Sequence, residues 1–148
     1  MKTVTNTFRV SINAKPEAVF AYVSDLTRHG EWNSGLRIEA VTSGPVSVGS
    51  QYRSWGKPGN RRNDIEITDY QPPTRFTFVA HDPNFKDVTH KFAVNSQGDG
   101  SVVERAVTAH MAPFVWFVWR LILWPLFDRP GMNKSLAALK AELERSSA

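Results

Sequence analysis

The feature that most constrains the fold is the hydrophobic period along the middle of the chain. From residue 36 to residue 111, apolar and polar residues alternate, which is the period of a β-strand with one buried face. Clusters rich in Gly, Pro, Asn and Asp interrupt the alternation, and these residues favour tight turns. The gaps are too short for crossover helices, so neighbouring strands must run antiparallel. The pattern predicts six strands, at residues 36–43, 50–57, 61–70, 74–81, 86–96 and 101–111.

One more strand and two short helices are predicted before this region. Residues 4–12 alternate and are rich in β-formers, which indicates a first strand. Pro16 suits the first turn of a helix, and Glu17 suits its positive end. A second short helix is predicted at 27–32. The seven strands form a sheet wide enough that it should curl.

The last part of the chain predicts a long helix over residues 115–145. Pro125 and Pro130 each remove a backbone donor, so the helix is expected to kink or restart near 125–131. The second half of this helix carries apolar residues on one face. These residues are Met132, Leu136, Leu139 and Leu143.

Composition narrows the range of functions. The chain has 148 residues and no linker-like stretch, which predicts one domain over residues 1–148. Cysteine is absent, which excludes disulfides and thiolate chemistry, and the first residues do not resemble a signal peptide, so we expect a cytoplasmic location. The net charge of +4 has one local concentration, at Arg53, Lys57, Arg61 and Arg62, but no nucleic-acid-binding motif accompanies it. We therefore expect no nucleic-acid partner.

Several short sequence motifs resemble those of a known superfamily. The stretch from Ala14 to Leu26, followed by Trp32, resembles the opening of the START-like superfamily. Pro72-Pro73 and the closing residues 136–140 are similar to the same superfamily, and the polyketide cyclase/dehydrase and lipid-transport branch is the most similar. The resemblance implies an α+β helix-grip fold, in which a seven-stranded curved antiparallel sheet wraps around a long C-terminal helix.

Such a fold implies a ligand cavity between the sheet and the terminal helix. Alternation within each strand selects the residues that face the helix. His90 and Arg105 are the polar residues among them that most suit an acidic oxygen, because guanidinium donors match such groups. Structural roles for the same two residues stay open, as a core histidine and an arginine paired with an internal acid. The predicted ligand-binding residues are Tyr52, Ser54, Ile67, Phe76, Phe78, His90, Phe92, Arg105, Val107, Trp116, Phe117, Trp119, Arg120 and Leu121.

The aromatic stretch from Phe114 to Phe127 surrounds its helix axis instead of forming one stripe, and it is too short and too polar to span a membrane. A second face of this helix should therefore meet something apolar, unless the helix is simply thickly packed in the core. Our first hypothesis is that the chain binds a hydrophobic molecule, such as a lipid, an isoprenoid, a quinone or an aromatic polyketide, as a carrier or sensor.

Two alternatives stay open. The chain could be a cyclase or dehydratase that uses His90 and Arg105 as weak catalytic candidates, although Asp64 and Glu66 fall on the outer face of their strand. It could also be an interaction protein that touches an anionic membrane. The histidines show no metal-ligand spacing, so the sequence predicts no metal and no cofactor. We expect a monomer or a weak homodimer.

Overall fold

The computed structural model describes residues 1–56, 61–82 and 86–147. The segments in which apolar and polar residues alternate form one antiparallel sheet, and all seven predicted strands are present. Two of the predicted turns, around residues 57–60 and 83–85, lie outside the described residues, as does Lys57. The strands are β1 Lys2–Ile12, β2 Arg37–Ala40, β3 Gln51–Gly56, β4 Arg61–Gln71, β5 Arg75–Asp82, β6 Lys86–Gln97 and β7 Gly100–Met111.

The strand order in the sheet is β1-β7-β6-β5-β4-β3-β2, so only β1 crosses to a non-sequential neighbour. Helix α1, Pro16–Val23, and a 3₁₀ helix, Leu26–Glu31, follow β1 as predicted. Pro16 occupies the first turn of α1, and Asp25 caps the 3₁₀ helix by accepting a hydrogen bond from the Thr27 backbone N–H at 3.1 Å. The α+β helix-grip architecture is therefore confirmed.

The terminal helix differs from the prediction at its prolines. It consists of α2, Pro113–Val118, a π-helical segment, Trp119–Asp128, and α3, Arg129–Ser147, which follow one another without a break. The helix therefore shows no gap near 125–131, and the irregularity predicted there takes the form of a change from π-helical to α-helical turns at Arg129. Pro125 lies inside the π-helical segment, where hydrogen bonds reach one residue further along the chain, so the loss of one donor does not end the helix.

The core lies between the inner face of the sheet and α3. Leu136, Leu139 and Leu143 are at most 4% exposed, and Met132 packs against the same cluster, which confirms the predicted apolar face. Hydrophobic burial of this stripe, rather than helix propensity, holds α3 on the sheet. The C-terminal part of α3 lies beside the end of β1, where Lys140 Nζ donates to the Ser11 backbone oxygen at 3.0 Å and the Asn13 backbone N–H donates to Glu144 at 2.9 Å.

The terminal helix begins at the opposite end of the sheet. The antiparallel registers bring the start of β1, the end of β7 and the start of β6 to the same end of the sheet, because Lys2 pairs with Met111 and Thr89 with Thr108. Helix α2 begins here, directly after the end of β7. We call this end of the sheet the open end.

Candidate ligand-binding site

Burial along β7 is lower beyond Arg105, although Met111 at the end of the strand is buried again and only 6% exposed. Among its inward-facing residues, Val103 is fully buried and Arg105 is 8% exposed, whereas Val107 is half-buried. On the neighbouring strand β6, Phe92 is 1% exposed, whereas His90 and Val88 are half-buried. His90 and Arg105 therefore lie where the fully buried core gives way to half-buried residues.

Arg105 is a buried cation without an acidic partner among the described residues. Its Nη2 donates a hydrogen bond to His90 Nδ1 at 3.2 Å, while its Nε and Nη1 are buried and have no hydrogen-bond partner. The guanidinium carbon lies 5.3 Å from the centre of the Phe92 ring and 5.8 Å from that of Trp32. Burial lowers the pKa of Arg105 from 12.5 to about 10, so the side chain stays charged at neutral pH. The internal acid that would have explained this arginine structurally is not found among the described residues.

Trp32 contributes a further unsatisfied donor. It is 2% exposed, and its indole Nε1 is buried without a hydrogen-bond partner among the described residues. A buried donor left unpaired costs about 1–3 kcal/mol, so three such donor nitrogens near one another are unusual in a core. Donors of this kind suit an acceptor oxygen supplied from outside the chain, and a negatively charged oxygen suits them best.

His90 is held as a neutral imidazole. Arginine has only donors, so Nδ1 of His90 must accept the hydrogen bond from Arg105, which leaves the ring proton on Nε2. Burial, together with the charge of Arg105, keeps the pKa of His90 well below its usual value. With Nδ1 engaged, His90 orients Arg105 and is poorly placed to act as a base through that atom.

His29 lies on the other side of the same cluster. Its Nε2 donates to the backbone oxygen of Val23 at 2.7 Å, and burial is the main cause that lowers its pKa to about 4. The His29 ring lies 4.8 Å from Trp32 and 5.9 Å from Phe92, measured between ring centres. His29 and Trp32 were not among the predicted site residues, although Trp32 belonged to the stretch that carried the family resemblance.

Aromatic rings enclose this polar centre. Phe76 and Phe92 stack with ring centres 4.8 Å apart, and Phe78 stacks on His90 at 4.6 Å. The registers explain this, because Phe76 pairs with Phe92 and Phe78 with His90 across β5 and β6. The rings fill the middle of the sheet beside the polar centre.

A groove lies beside Trp32, on the side of α3. It has a volume of about 550 Å³ and runs between the end of the 3₁₀ helix and the start of α3. Trp32 forms part of its wall, together with Glu31 and Ser34 on one side and Lys134 and Ala138 on the other. The same indole ring lies 5.8 Å from the guanidinium carbon of Arg105, so Trp32 contacts both the groove and the buried cation.

The structure brings together only part of the predicted set. Phe78, His90, Phe92 and Arg105 form the cluster described above, and Phe76 joins it through stacking. Tyr52 and Ser54 are buried on β3, which three strands separate from β7, and Ile67 is fully buried on β4. Direct roles of these three residues in binding stay predictions.

The terminal helix divides the remaining predicted residues into two groups. Trp119 is 8% exposed and donates from Nε1 to Asp128 at 2.5 Å, and Trp116 is half-buried over the sheet edge. Phe117, Arg120 and Leu121 lie on the exposed side of the helix, so they do not line the interior. Their role at an entrance stays a prediction.

The chain matches one known protein family. Residues 1–144 match the model of a family described as polyketide cyclase / dehydrase and lipid transport. A search of curated proteins gave no significant match.

Solved structures with the same fold are numerous. The crystal structure of TTHA0849 from Thermus thermophilus superposes with a TM-score of 0.77 at 16% identity and covers 98% of this chain and 100% of its own. Ara h 8.0201 gives 0.69 at 14% identity, with 96% and 98% covered. Protein Ms6760 from Mycobacterium smegmatis gives 0.67 at 15% identity, with 94% and 90% covered. At these identities the likeness shows the fold alone.

Proposed function

The chain belongs to the polyketide cyclase/dehydrase and lipid transport family, and from that premise we propose that it binds an apolar small molecule bearing an acidic oxygen. The oxygen is held by Arg105 and the indole N–H of Trp32, and the apolar body lies between the inner face of the sheet and the terminal helix. The observation that carries this proposal is the buried guanidinium of Arg105, whose Nε and Nη1 have no hydrogen-bond partner among the described residues and which lies beside the rings of Trp32 and Phe92.

The chemistry of the donors selects the head group. Three buried donor nitrogens, two on Arg105 and one on Trp32, offer hydrogen bonds that a carboxylate, a phosphate or a phenolate can accept. A charged oxygen also compensates the buried positive charge, which a hydroxyl group does less well. Apolar contacts around it supply affinity but little discrimination, so the head group decides which molecule binds.

The geometry supports binding better than catalysis. The Nδ1 lone pair of His90 is taken by Arg105, and Asp64, a candidate carboxylate, is 60% exposed and lies near Arg62 and Arg53. A general acid or base must lie within hydrogen-bonding reach of the reacting group. The cyclase alternative therefore stays a prediction from the sequence and the family.

A displacement experiment tests the proposal. Nile red, an uncharged apolar dye, is bound to the protein at pH 7 and displaced either by laurate or by dodecanol, which share one chain length and differ in the head group. We expect laurate to bind at least about tenfold more tightly, because a hydrogen bond to a charged group contributes about 1.5–3 kcal/mol. Arg105→Gln should remove this preference while the affinity for dodecanol changes little.

Two controls make the result specific. Arg75→Gln changes an arginine that is 57% exposed on the outer face, and it should leave both affinities unchanged. Trp32→Phe removes one donor but keeps an aromatic ring, so it should weaken laurate binding less than Arg105→Gln does. The proposal fails if the wild-type protein takes up no dye in a saturable way, or if Arg105→Gln keeps the preference for laurate.

A further inference from the structure

The outer side of the terminal helix is an exposed apolar surface. Between residues 114 and 127, eight large hydrophobic side chains are 42% to 77% exposed, and we call them the apolar face. A contiguous surface of this kind marks a site of interaction, whereas isolated exposed apolar residues do not. The members of the apolar face are Phe114, Val115, Phe117, Leu121, Ile122, Leu123, Leu126 and Phe127.

We propose that the apolar face docks onto the surface of an anionic phospholipid membrane. The proposal is independent of the ligand in the interior, because it uses side chains on the opposite side of the helix. It accounts for the aromatic residues around the helix axis, of which only the inward ones pack on the sheet.

Charge around the apolar face favours this partner. Arg120 and Arg129 are exposed within and beside it, and Lys2 lies over the Trp116 ring at 5.3 Å. None of these three cations takes part in an ion pair among the described residues. Asp128 is the only acidic residue between positions 112 and 131, and one of its oxygens accepts the hydrogen bond from Trp119. The surface therefore carries a net positive charge around an apolar centre.

Other basic residues near the open end contribute less. Arg37 and Arg62 lie near the ends of their strands, at the same end of the sheet, but each has an acidic neighbour. Glu39 lies 3.6 Å from Arg37, and Asp64 lies 3.2 Å from Arg62. We therefore assign the electrostatic part of docking to Lys2, Arg120 and Arg129.

A lipid surface fits the apolar face better than a second copy of the chain does. In a two-fold symmetric dimer the same positive surface would face itself, so its arginines would repel each other. On an anionic membrane the apolar side chains enter the interface, and arginine and lysine keep their charges at the head groups. Within the described residues, no helix is long and apolar enough to cross a membrane, so the proposed contact is with the surface.

Vesicle co-sedimentation tests the docking. The full chain is mixed with vesicles of phosphatidylcholine alone or of equal parts phosphatidylcholine and phosphatidylglycerol, at low and at high salt. We expect clear binding to the anionic vesicles, weaker binding to the neutral ones, and loss of binding as salt rises.

Variants locate the contact. The triple change of Phe114, Leu126 and Phe127 to Ser should weaken partitioning at least about tenfold, because these exposed side chains lose their apolar surface. Arg129→Gln should weaken it about fivefold, which corresponds to the loss of about 1 kcal/mol for one charge. Two control variants lie away from the apolar face. Val48→Gln changes a loop residue that is 63% exposed, and Lys91→Gln removes an exposed charge on the outer face of the sheet.

The outcomes separate the partners. If the controls bind as the wild-type protein does while the triple variant and Arg129→Gln lose binding, the proposal stands. It is overturned if the wild-type protein ignores anionic vesicles, or if the triple variant binds them unchanged. It is also overturned if analytical ultracentrifugation shows a dimer that the triple variant dissociates, since the apolar face would then join two copies.

Discussion

Replacement of the buried arginine should stabilise the ligand-free protein, and the size of the effect follows from the site. Arg105→Met keeps an unbranched side chain of similar reach and removes the charge. The fall of the Arg105 pKa from 12.5 to about 10 corresponds to about 3 kcal/mol against the charged form, at about 1.4 kcal/mol per pKa unit. Replacement of a buried, incompletely paired charge by an apolar residue is often stabilising by about 1–4 kcal/mol.

Part of this gain is lost with the contacts of the guanidinium. His90 Nδ1 loses its donor, and the contacts with the Trp32 and Phe92 rings disappear, which together cost about 1–2 kcal/mol. We therefore expect a net increase of about 1–2 kcal/mol in the free energy of unfolding. For a chain of this length, this corresponds to an increase of about 2–8 °C in Tm.

Urea unfolding of the ligand-free protein measures this difference. Arg75→Met serves as the control, because that side chain is 57% exposed and paired with Asp69 at the surface, where substitutions change stability by about 0.5 kcal/mol or less. The reasoning is refuted if Arg105→Met lowers the free energy of unfolding by more than about 1 kcal/mol while the control is neutral. That result would mean that the protein itself satisfies the charge of Arg105.

Three further predictions concern the core. Folding lowers the pKa of His29 from 6.5 to about 4, so the unfolded chain binds a proton at higher pH than the folded chain does. The free energy of unfolding should therefore decrease between pH 6.5 and about 4, by up to about 3 kcal/mol from His29. In urea titrations this decrease should be smaller for His29→Gln but not for His81→Gln, which changes an exposed histidine. Leu139→Ala should cost about 2–5 kcal/mol in chemical denaturation, because this side chain is fully buried, whereas Leu123→Ala, at a residue that is 42% exposed, should cost much less. Gly100→Ala should lower Tm, because an added Cβ would lie 2.6 Å from a backbone oxygen of β1 and the strands would have to separate; an unchanged Tm would contradict that contact.

Much of the fold could be predicted because its signals are local. Alternation along each strand and turn residues between strands fixed their number and direction, and the stripe at Leu136, Leu139 and Leu143 identified the helix face that packs. The same alternation placed His90 and Arg105 on the inner face of neighbouring strands, and in the structure these two side chains share a hydrogen bond. The π-helical segment around Pro125 could not be predicted, because a proline within a helix can either kink or end it. Whether wider π-helical turns form instead depends on what the neighbouring turns pack against.

The sequence by itself determined the antiparallel sheet, its inward faces and the terminal helix, since each depends on residues a few positions apart. Only the tertiary structure decided that Trp32 lies over Arg105, and that no acid among the described residues reaches this guanidinium. It also decided which side of the aromatic helix is exposed. The physical reason is that burial and charge pairing depend on how the curved sheet and the helices approach one another, and residues far apart in the chain set that approach.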